Sequence, residues 1–272
     1  MNIMKKQEFK IHIIEGYISS VILIEYPDRI LCVDSGSRPD VRLINEFVTE
    51  KLKRSMTDIR LCVITHMHPD HAGGAMALKK NYGIPLAADD GINDWYSGPW
   101  GWIQNRIDLM SQQRIRRIRN MPCEPVRFPR SLDLDYELDN GEPIPFFGDW
   151  LALRVPGHTS HDIALYNEKA RAICTGDCVI NIRGKFVLPI PVLFEGRMIK
   201  SMKKMAELDV TTMVPSHGPV ISGDNIRSIF LDLIPMIGLP KNKMSRRGHN
   251  LARFSPEIWR AYWRKLKRRA LG

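Results

Sequence analysis

The chain has 272 residues, 44% of them hydrophobic and 26% charged, enough to bury a full-sized core in one large domain or two small ones. No stretch approaches the ~18 uninterrupted apolar residues of a membrane span, and the opening MNIMKKQEFKIHII lacks the apolar run of a secretory signal. The net charge of +10 is local: eleven of the 40 basic residues and one of the 30 acidic residues, Glu257, lie in 241–272, which leaves 29 of each in a neutral body.

Three Ile/Val-rich runs at about 9–15, 18–26 and 29–34 predict strands, separated by the turn signals Glu15-Gly16 and Pro27-Asp28. Apolar residues at Val41, Ile44, Phe47, Val48 and Leu52 predict a helix over 41–53. A short buried strand follows at 59–64, then a helix over 73–80 and a strand over 84–87. Residues 89–122 differ in character. Trp95, Trp100 and Trp102 surround Gly98-Pro99 and precede a basic amphipathic helix near 103–119. Strand character returns at 150–155, 162–166 and 170–175, with a further apolar stretch at 210–214 and helices at 197–208 and 223–236. In the tail, Ser255 as N-cap and Pro256 at the first helical position open a helix with the stripe Ile258, Trp259, Tyr262, Trp263 and Leu266. The expected organisation is one domain over 1–240, with a Trp-rich helical insertion at about 89–122, and a basic helical extension over 241–272. The five cysteines, Cys32, Cys62, Cys123, Cys174 and Cys178, read as reduced, mostly buried thiols of a cytoplasmic protein.

The densest chemistry is Thr65-His66-Met67-His68-Pro69-Asp70-His71, directly after the apolar run Leu61-Cys62-Val63-Ile64. Histidine offers a neutral nitrogen to borderline metals and aspartate a hard anionic oxygen. On extended backbone His66 and His68 point the same way, whereas Asp70 and His71 fall on the turn, where they can diverge toward a second ion. Further donors also follow strand-like runs: His158 in Pro156-Gly157-His158, Asp177 in Thr175-Gly176-Asp177, and His217 in Pro215-Ser216-His217.

This succession of His66-Met67-His68-Pro69-Asp70-His71, His158, Asp177 and His217 resembles the signature of the metallo-β-lactamase superfamily, H-x-H-x-D-H with a downstream His, Asp and His. Asp34 matches an early aspartate of that family that stands behind the ligands. The likeness runs from about residue 9 to 222. It implies an α+β fold, the αββα sandwich, with a metal site at one edge between the two sheets. It implies that His66, His68 and His158 hold one ion, that Asp70, His71 and His217 hold another, and that Asp177 bridges them, Asp70 and Asp177 being the carboxylates closest to the chemistry. The implied cofactors are two divalent ions, zinc first, with manganese and iron suited to the same donors. The implied reaction is attack by a shared hydroxide, formed from a bound water whose pKa falls to ~7 on such a site.

Within that family, the bridging Asp177 separates the chain from true β-lactamases, and Asp177-Cys178-Val179-Ile180-Asn181 lacks the tyrosine of quorum-quenching lactonases. Glyoxalase II-type thioesterases share the ligand set. The expectation is therefore hydrolysis of an ester, thioester or lactone in a small, partly apolar substrate. Phosphodiester or ribonuclease chemistry is the alternative, opposed by the neutral body, and a non-catalytic metal-binding or regulatory protein is a further one. Two readings stay open for the Trp-rich segment, a wall of an apolar pocket or plain packing. Three stay open for the tail: packing, peripheral contact with an anionic membrane, or a partner. His161 and Asp162 read as a structural polar pair or as a contact behind the ligands, Cys178 as buried, and His12 and His249 as ordinary.

Overall fold

The computed structural model describes residues 9–120 and 128–239, together with Arg246, Asn250, Pro256, Ile258 and Trp259. The Ile/Val-rich opening forms an antiparallel meander of β1 (Lys10–Glu15), β2 (Ser20–Glu25) and β3 (Ile30–Val33). Parallel strands β4 (Ile59–Ile64), β5 (Leu86–Asp89) and β6 (Tyr136–Leu138) extend it to a six-stranded sheet in chain order. The second sheet is built from β7 (Pro143–Ile144), β8 (Phe147–Arg154), β9 (Ile163–Asn167) and β10 (Ala172–Gly176). A small hairpin, β11 (Ile180–Ile182) and β12 (Lys185–Val187), stands apart. The chain then returns as β13 (Thr212–Pro215) and β14 (Ile221–Ser222), giving the order β14-β13-β10-β9-β8-β7.

Period-two alternation makes both faces of these strands apolar. In β2 and β4, Ile22, Ile24, Leu61 and Val63 point inward, where they meet Phe147, Trp150, Leu165 and Val214 of the second sheet. Val21, Leu23, Cys62 and Ile64 point outward, under α1 (Asp40–Glu46), α2 (Ala75–Tyr82) and α3 (Gly98–Ile118). The outer face of the second sheet, through Leu153, Tyr166, Ile173 and Met213, is covered by α4 (Glu195–Ala206) and α5 (Ile226–Leu233). The result is four layers, helix-sheet-sheet-helix, as expected from the sequence.

Differences from the sequence reading are local. The helix expected over 41–53 is α1 followed by a π-helical turn at Phe47–Lys51, beside which the Thr49 hydroxyl donates to the Asn45 carbonyl at 2.8 Å. α3 starts five residues earlier than expected, with Pro99 in its first turn. Strands β6, β7, β11, β12 and β14 have two or three residues each, too few for alternation to be readable. In the tail, Pro256, Ile258 and Trp259 are helical, and the Trp259 ring stacks on Trp100 at 4.8 Å and 15°; Ser255, Tyr262, Trp263 and Leu266 lie outside the described residues. Cys32, Cys62, Cys174 and Cys178 are free and buried, while Cys123 lies outside the described residues. Among these residues no helix is long and apolar enough to cross a membrane.

Candidate metal centre

All the singled-out side chains leave strand ends on one edge of the sandwich. His66, His68, Asp70 and His71 follow β4, His158 follows β8, Asp177 follows β10 and His217 follows β13. The pairing of β10 with β13 shifts register between Cys174 and Gly176, a bulge that turns the strand end just before Asp177. Backbone hydrogen bonds stitch these loops to one another, the first and third of the following across the two sheets. Ser20 N donates to Ser216 O at 2.8 Å, Asn181 N to His217 O at 2.8 Å, and Ile163 N to Thr65 O at 3.0 Å.

The seven residues converge. Ring centroids lie 4.7 Å apart for His66 and His68, 5.0 Å for His66 and His158, and 4.7 Å for His68 and His158. On the other side, His217 Nε2 and His71 Nε2 lie 3.8 and 3.6 Å from the Asp70 carboxylate. The Asp177 carboxylate stands between, 3.3 Å from His71 Nε2, 3.4 Å from His217 Nε2 and 3.8 Å from His158 Nε2. Three donor groups result, each with its atoms within 4.8 Å of one another: His66, His68 and His158; His66, His71 and Asp177; Asp70, His71 and His217.

The imidazoles are oriented from behind. His71 Nδ1 donates to Asp34 Oδ2 at 2.8 Å and His158 Nδ1 to the Pro191 carbonyl at 2.7 Å, so that Nε2 of each ring faces the cluster. His66 Nδ1 pairs with Thr65 Oγ1 at 3.1 Å, again freeing Nε2. His68 instead turns Nδ1 toward His158 Nε2, 3.0 Å away. His66 Nε2, His71 Nε2 and Asp177 Oδ1 are buried without a well-formed hydrogen bond, the last two facing each other at 3.3 Å, and buried polar groups left in this way are costly unless something ligates them. These donors, aimed at one another, fit divalent cations of the His/Asp-binding kind.

Charge is strongly coupled at this point. Burial, then the neighbouring imidazoles, holds His66 and His68 well below the ordinary histidine value, so both stay neutral. Burial also opposes charge on His71 and His217, but the carboxylates of Asp177 and Asp70 outweigh it and push both up. Burial would raise Asp177, yet His71 and His217 hold it well below the carboxylate range. A bound cation would displace the imidazolium protons.

Several neighbours act on this frame. Asp34 is fully buried and also accepts from Thr65 N at 2.8 Å and Thr65 Oγ1 at 3.0 Å. His161 Nε2 accepts from Met67 N at 2.9 Å, and burial pushes its pKa down to about 3, so it serves as a neutral brace for the loop between His66 and His68. Asp162 accepts from Gly157 N at 3.0 Å and Thr159 N at 2.8 Å and shapes the His158 loop. This pair is structural rather than ligating. Burial raises the Cys178 thiol well above its ordinary value, and its Sγ faces the Val155 carbonyl at 3.5 Å. His12 pairs with Glu25 at 2.8 Å, far from this edge of the sheet; His249 lies outside the described residues.

Of Trp95, Trp100 and Trp102, only Trp95 reaches the site. Its ring is buried 5.7 Å from His68 and 5.5 Å from His161, whereas Trp100 and Trp102 are exposed because α3 turns Gly101, Gln104 and Asn105 inward instead. Sequence reasoning missed Thr65, Pro191 and Ser19, whose Oγ donates to the Asp70 carbonyl. It also missed the pair of buried Tyr96 OH and half-buried Asp108 Oδ2, 2.8 Å apart. Asp108 alone carried a signal, as the one acid in a helix of arginines; a backbone carbonyl such as that of Pro191 carries none.

Relatives agree with this architecture. A model of the metallo-beta-lactamase superfamily matches residues 14–217. A Bacillus subtilis (strain 168) protein described as the probable metallo-hydrolase YflN is 22% identical over 243 residues, covering 82% of this chain and 89% of the relative. The metallo-beta-lactamase FIM-1 of Pseudomonas aeruginosa, solved in a mono-zinc form, is 18% identical with a TM-score of 0.56, over 87% of this chain and 95% of that one. TTHA1623, solved in a di-iron-bound form, is also 18% identical, with a TM-score of 0.55 over 84% of this chain and 99% of that one. At such identities the two structures establish the shared fold. With the family's pattern running from Ile14 through the last of the seven donors, the chain belongs to the metallo-beta-lactamase superfamily and is a metal-dependent hydrolase of it.

Proposed function

We propose that the protein hydrolyses an acyl bond (ester, thioester or lactone) at a two-metal site. In this reading His66, His68 and His158 hold one divalent ion, Asp70, His71 and His217 hold the other, and Asp177 lies between them. Zinc is the first candidate, and manganese or iron suits the same donors. The observation that carries the reading is the convergence of buried donor atoms without a well-formed hydrogen bond, His66 Nε2, His71 Nε2 and Asp177 Oδ1, within one cluster of imidazoles and carboxylates. Such ions supply a Lewis acid for the carbonyl oxygen and a water acidic enough to act as nucleophile near neutral pH.

The chain's own residues do the rest. Asp34 and the Pro191 carbonyl fix the tautomers of His71 and His158, and burial keeps His66 and His68 neutral and able to donate a lone pair. The buried indole of Trp95 excludes water beside His68 and supports an apolar portion in the substrate. A body with 29 acids and 29 bases outside the tail supports an acyl rather than a polyanionic substrate.

The test is a panel of thioester, lactone, carboxylic ester and phosphodiester substrates, assayed on metal-analysed protein and on Asp177→Ala. Turnover of one acyl class, falling at least ~100-fold in the variant, is the expected result. Turnover confined to the phosphodiester would contradict the acyl assignment.

A further inference from the structure

Alternation along β8 sends Trp150 and Ala152 into the space between the sheets and Leu151 and Leu153 outward, against α4 and α5. Arg154, the last residue of the strand, takes the next inward place, so a cation stands where the pattern calls for an apolar side chain. Its guanidinium crosses to the first sheet. Nε donates to Asp89 Oδ2 at 2.5 Å and one terminal nitrogen to Asp90 Oδ1 at 2.6 Å, while the other pairs with Asp139 Oδ1 at 2.9 Å. Asp89 ends β5 and Asp139 follows β6, at the edge where the metal donors emerge. Asp89 is the sheltered partner, its side chain 6% exposed against 62% and 65% for the other two. The pair with Asp89 therefore carries most of the effect.

Both halves of this pair lead to the donors His66, His68 and His158. On the second sheet Arg154 is followed by Val155, whose N donates to Asp162 O at 2.8 Å, and the Asp162 carboxylate shapes the His158 loop. On the first sheet the other oxygen of Asp89 accepts from Gly91 N at 2.9 Å. A Cβ at Gly91 would stand 3.9 Å from His161 Cβ, so this turn touches the residue whose imidazole accepts from Met67 N, between His66 and His68. The same turn leads into Trp95, beside His68 and His161.

We propose that Arg154 is a positioning residue for the ion assigned to His66, His68 and His158: by gripping Asp89 it sets the separation between the His158 loop of one sheet and the His66–His68 loop of the other. The inference rests on the two-ion reading, and it does not depend on which bond is hydrolysed. An apolar side chain at this inward place would hold the sheets together at least as well, because a sheltered ion pair gives little net stability after its desolvation. What the pair adds is direction. Apolar contacts between the sheets are non-directional, whereas a guanidinium fork fixes distance and angle at once. Other polar links between the sheets stand elsewhere. Tyr26 OH meets Asp149 Oδ2 at 2.5 Å near the far end of β8, Ser20 N meets Ser216 O on the side of Asp70 and His217, and Ile163 N meets Thr65 O at the start of β9. Arg154 ties down the end of β8 from which His158 projects.

The experiment compares the wild type with Arg154→Lys, which keeps the charge and loses the fork, at pH 8, above the value of about 6 to which burial pushes Asp89. Calorimetric Zn²⁺ titration of the chelator-stripped proteins is expected to show one of two equivalents weakened at least ~10-fold. In a His217→Ala background, which leaves the site of His66, His68 and His158, the loss persists; in His158→Ala, which leaves the other site, Arg154→Lys changes nothing further. In the metal-free proteins, hydrogen exchange over residues 65–71 and 156–162 is expected to accelerate ~10-fold in Arg154→Lys while β2 and β3 keep their protection. Asp89→Asn gives the same pattern and replaces Arg154→Lys should that variant not fold. Unchanged affinity and exchange, equal weakening of both equivalents, or exchange raised evenly along the chain would overturn the proposal. Wild-type protein that takes up fewer than two equivalents would contradict the two-ion reading instead, and the exchange comparison would still decide the role of Arg154.

Discussion

At the scale of single residues, the candidate centre depends on what stands behind the donors. Asp34 is the most connected of these, because its two oxygens meet His71 Nδ1 and both the amide and the hydroxyl of Thr65. Its φ of 61° places it in the left-handed region, which aspartate tolerates better than most side chains. Asp34→Asn keeps the shape, but whichever way the amide turns, an N–H faces another donor. Metal affinity is expected to fall ~10- to 100-fold while the far-UV spectrum is retained, measured by competition with a chromophoric chelator; unchanged affinity would show that His71 needs no orienting partner. The seven residues that converge here were legible as candidates in the sequence, since histidines crowded behind a buried strand suit a metal ion far better than they suit a solvated turn. What orients them was only partly so. Asp34 was visible as an aspartate ending a strand, but His158 leans on a main-chain carbonyl, at Pro191, 33 positions away, and nothing in a side-chain alphabet reports that.

At the scale of elements, the strands β2, β3, β4, β9 and β10 were readable because each is apolar on both faces, and the helices α1, α2, α4 and α5 because each has one apolar stripe against a sheet. α3 was readable as a helix but not as to which face is buried. The sequence left a pocket wall or plain packing open for it; in the structure Ser37 and Tyr17 offer partners that turn Gln112 and Arg116 inward, and Tyr96 holds the half-buried Asp108. That choice has a pH signature. Asp108 is pushed up to about 7 from 3.8, burial being the main cause, opposed by hydrogen bonds from Tyr96 and Gln104. The unfolded chain loses this proton near 4 and the folded chain near 7, so between those values the unfolded state binds fewer protons and stability falls as pH rises. Urea unfolding across that window should show the decline, and Asp108→Asn should make it shallower, the rest belonging to Asp40 and Asp89, each pushed up to about 6 mainly by burial. An equal slope in both proteins would place the charge elsewhere. Close packing adds its own constraint. A Cβ at Gly157 would meet Met198 Cβ at 2.6 Å, so the loop carrying His158 rests directly on α4, a contact between segments 41 residues apart that no local pattern announces.

At the scale of the whole molecule, two sheets and two helical layers converge strand ends from both halves of the chain on one edge, which lets residues as far apart as His66 and His217 share a site. The fold class followed from the resemblance carried by those residues, while alternation and apolar runs marked only the individual strands. The short strands β6, β7 and β14 did not, because edge pairing of two or three residues is decided by the neighbouring strand rather than by their own sequence. The function proposed for this edge requires it to hold a pair of ions with Asp177 between them. Calorimetric titration of chelator-stripped protein with Zn²⁺, wild type beside Asp177→Ala, tests that requirement without any substrate. Two bound equivalents and a raised melting temperature are expected for the wild type, and for the variant loss or marked weakening of at least one equivalent with the fold intact. Wild-type protein that stays folded yet takes up no ion, or a variant that binds both equivalents as tightly, would contradict the two-ion site.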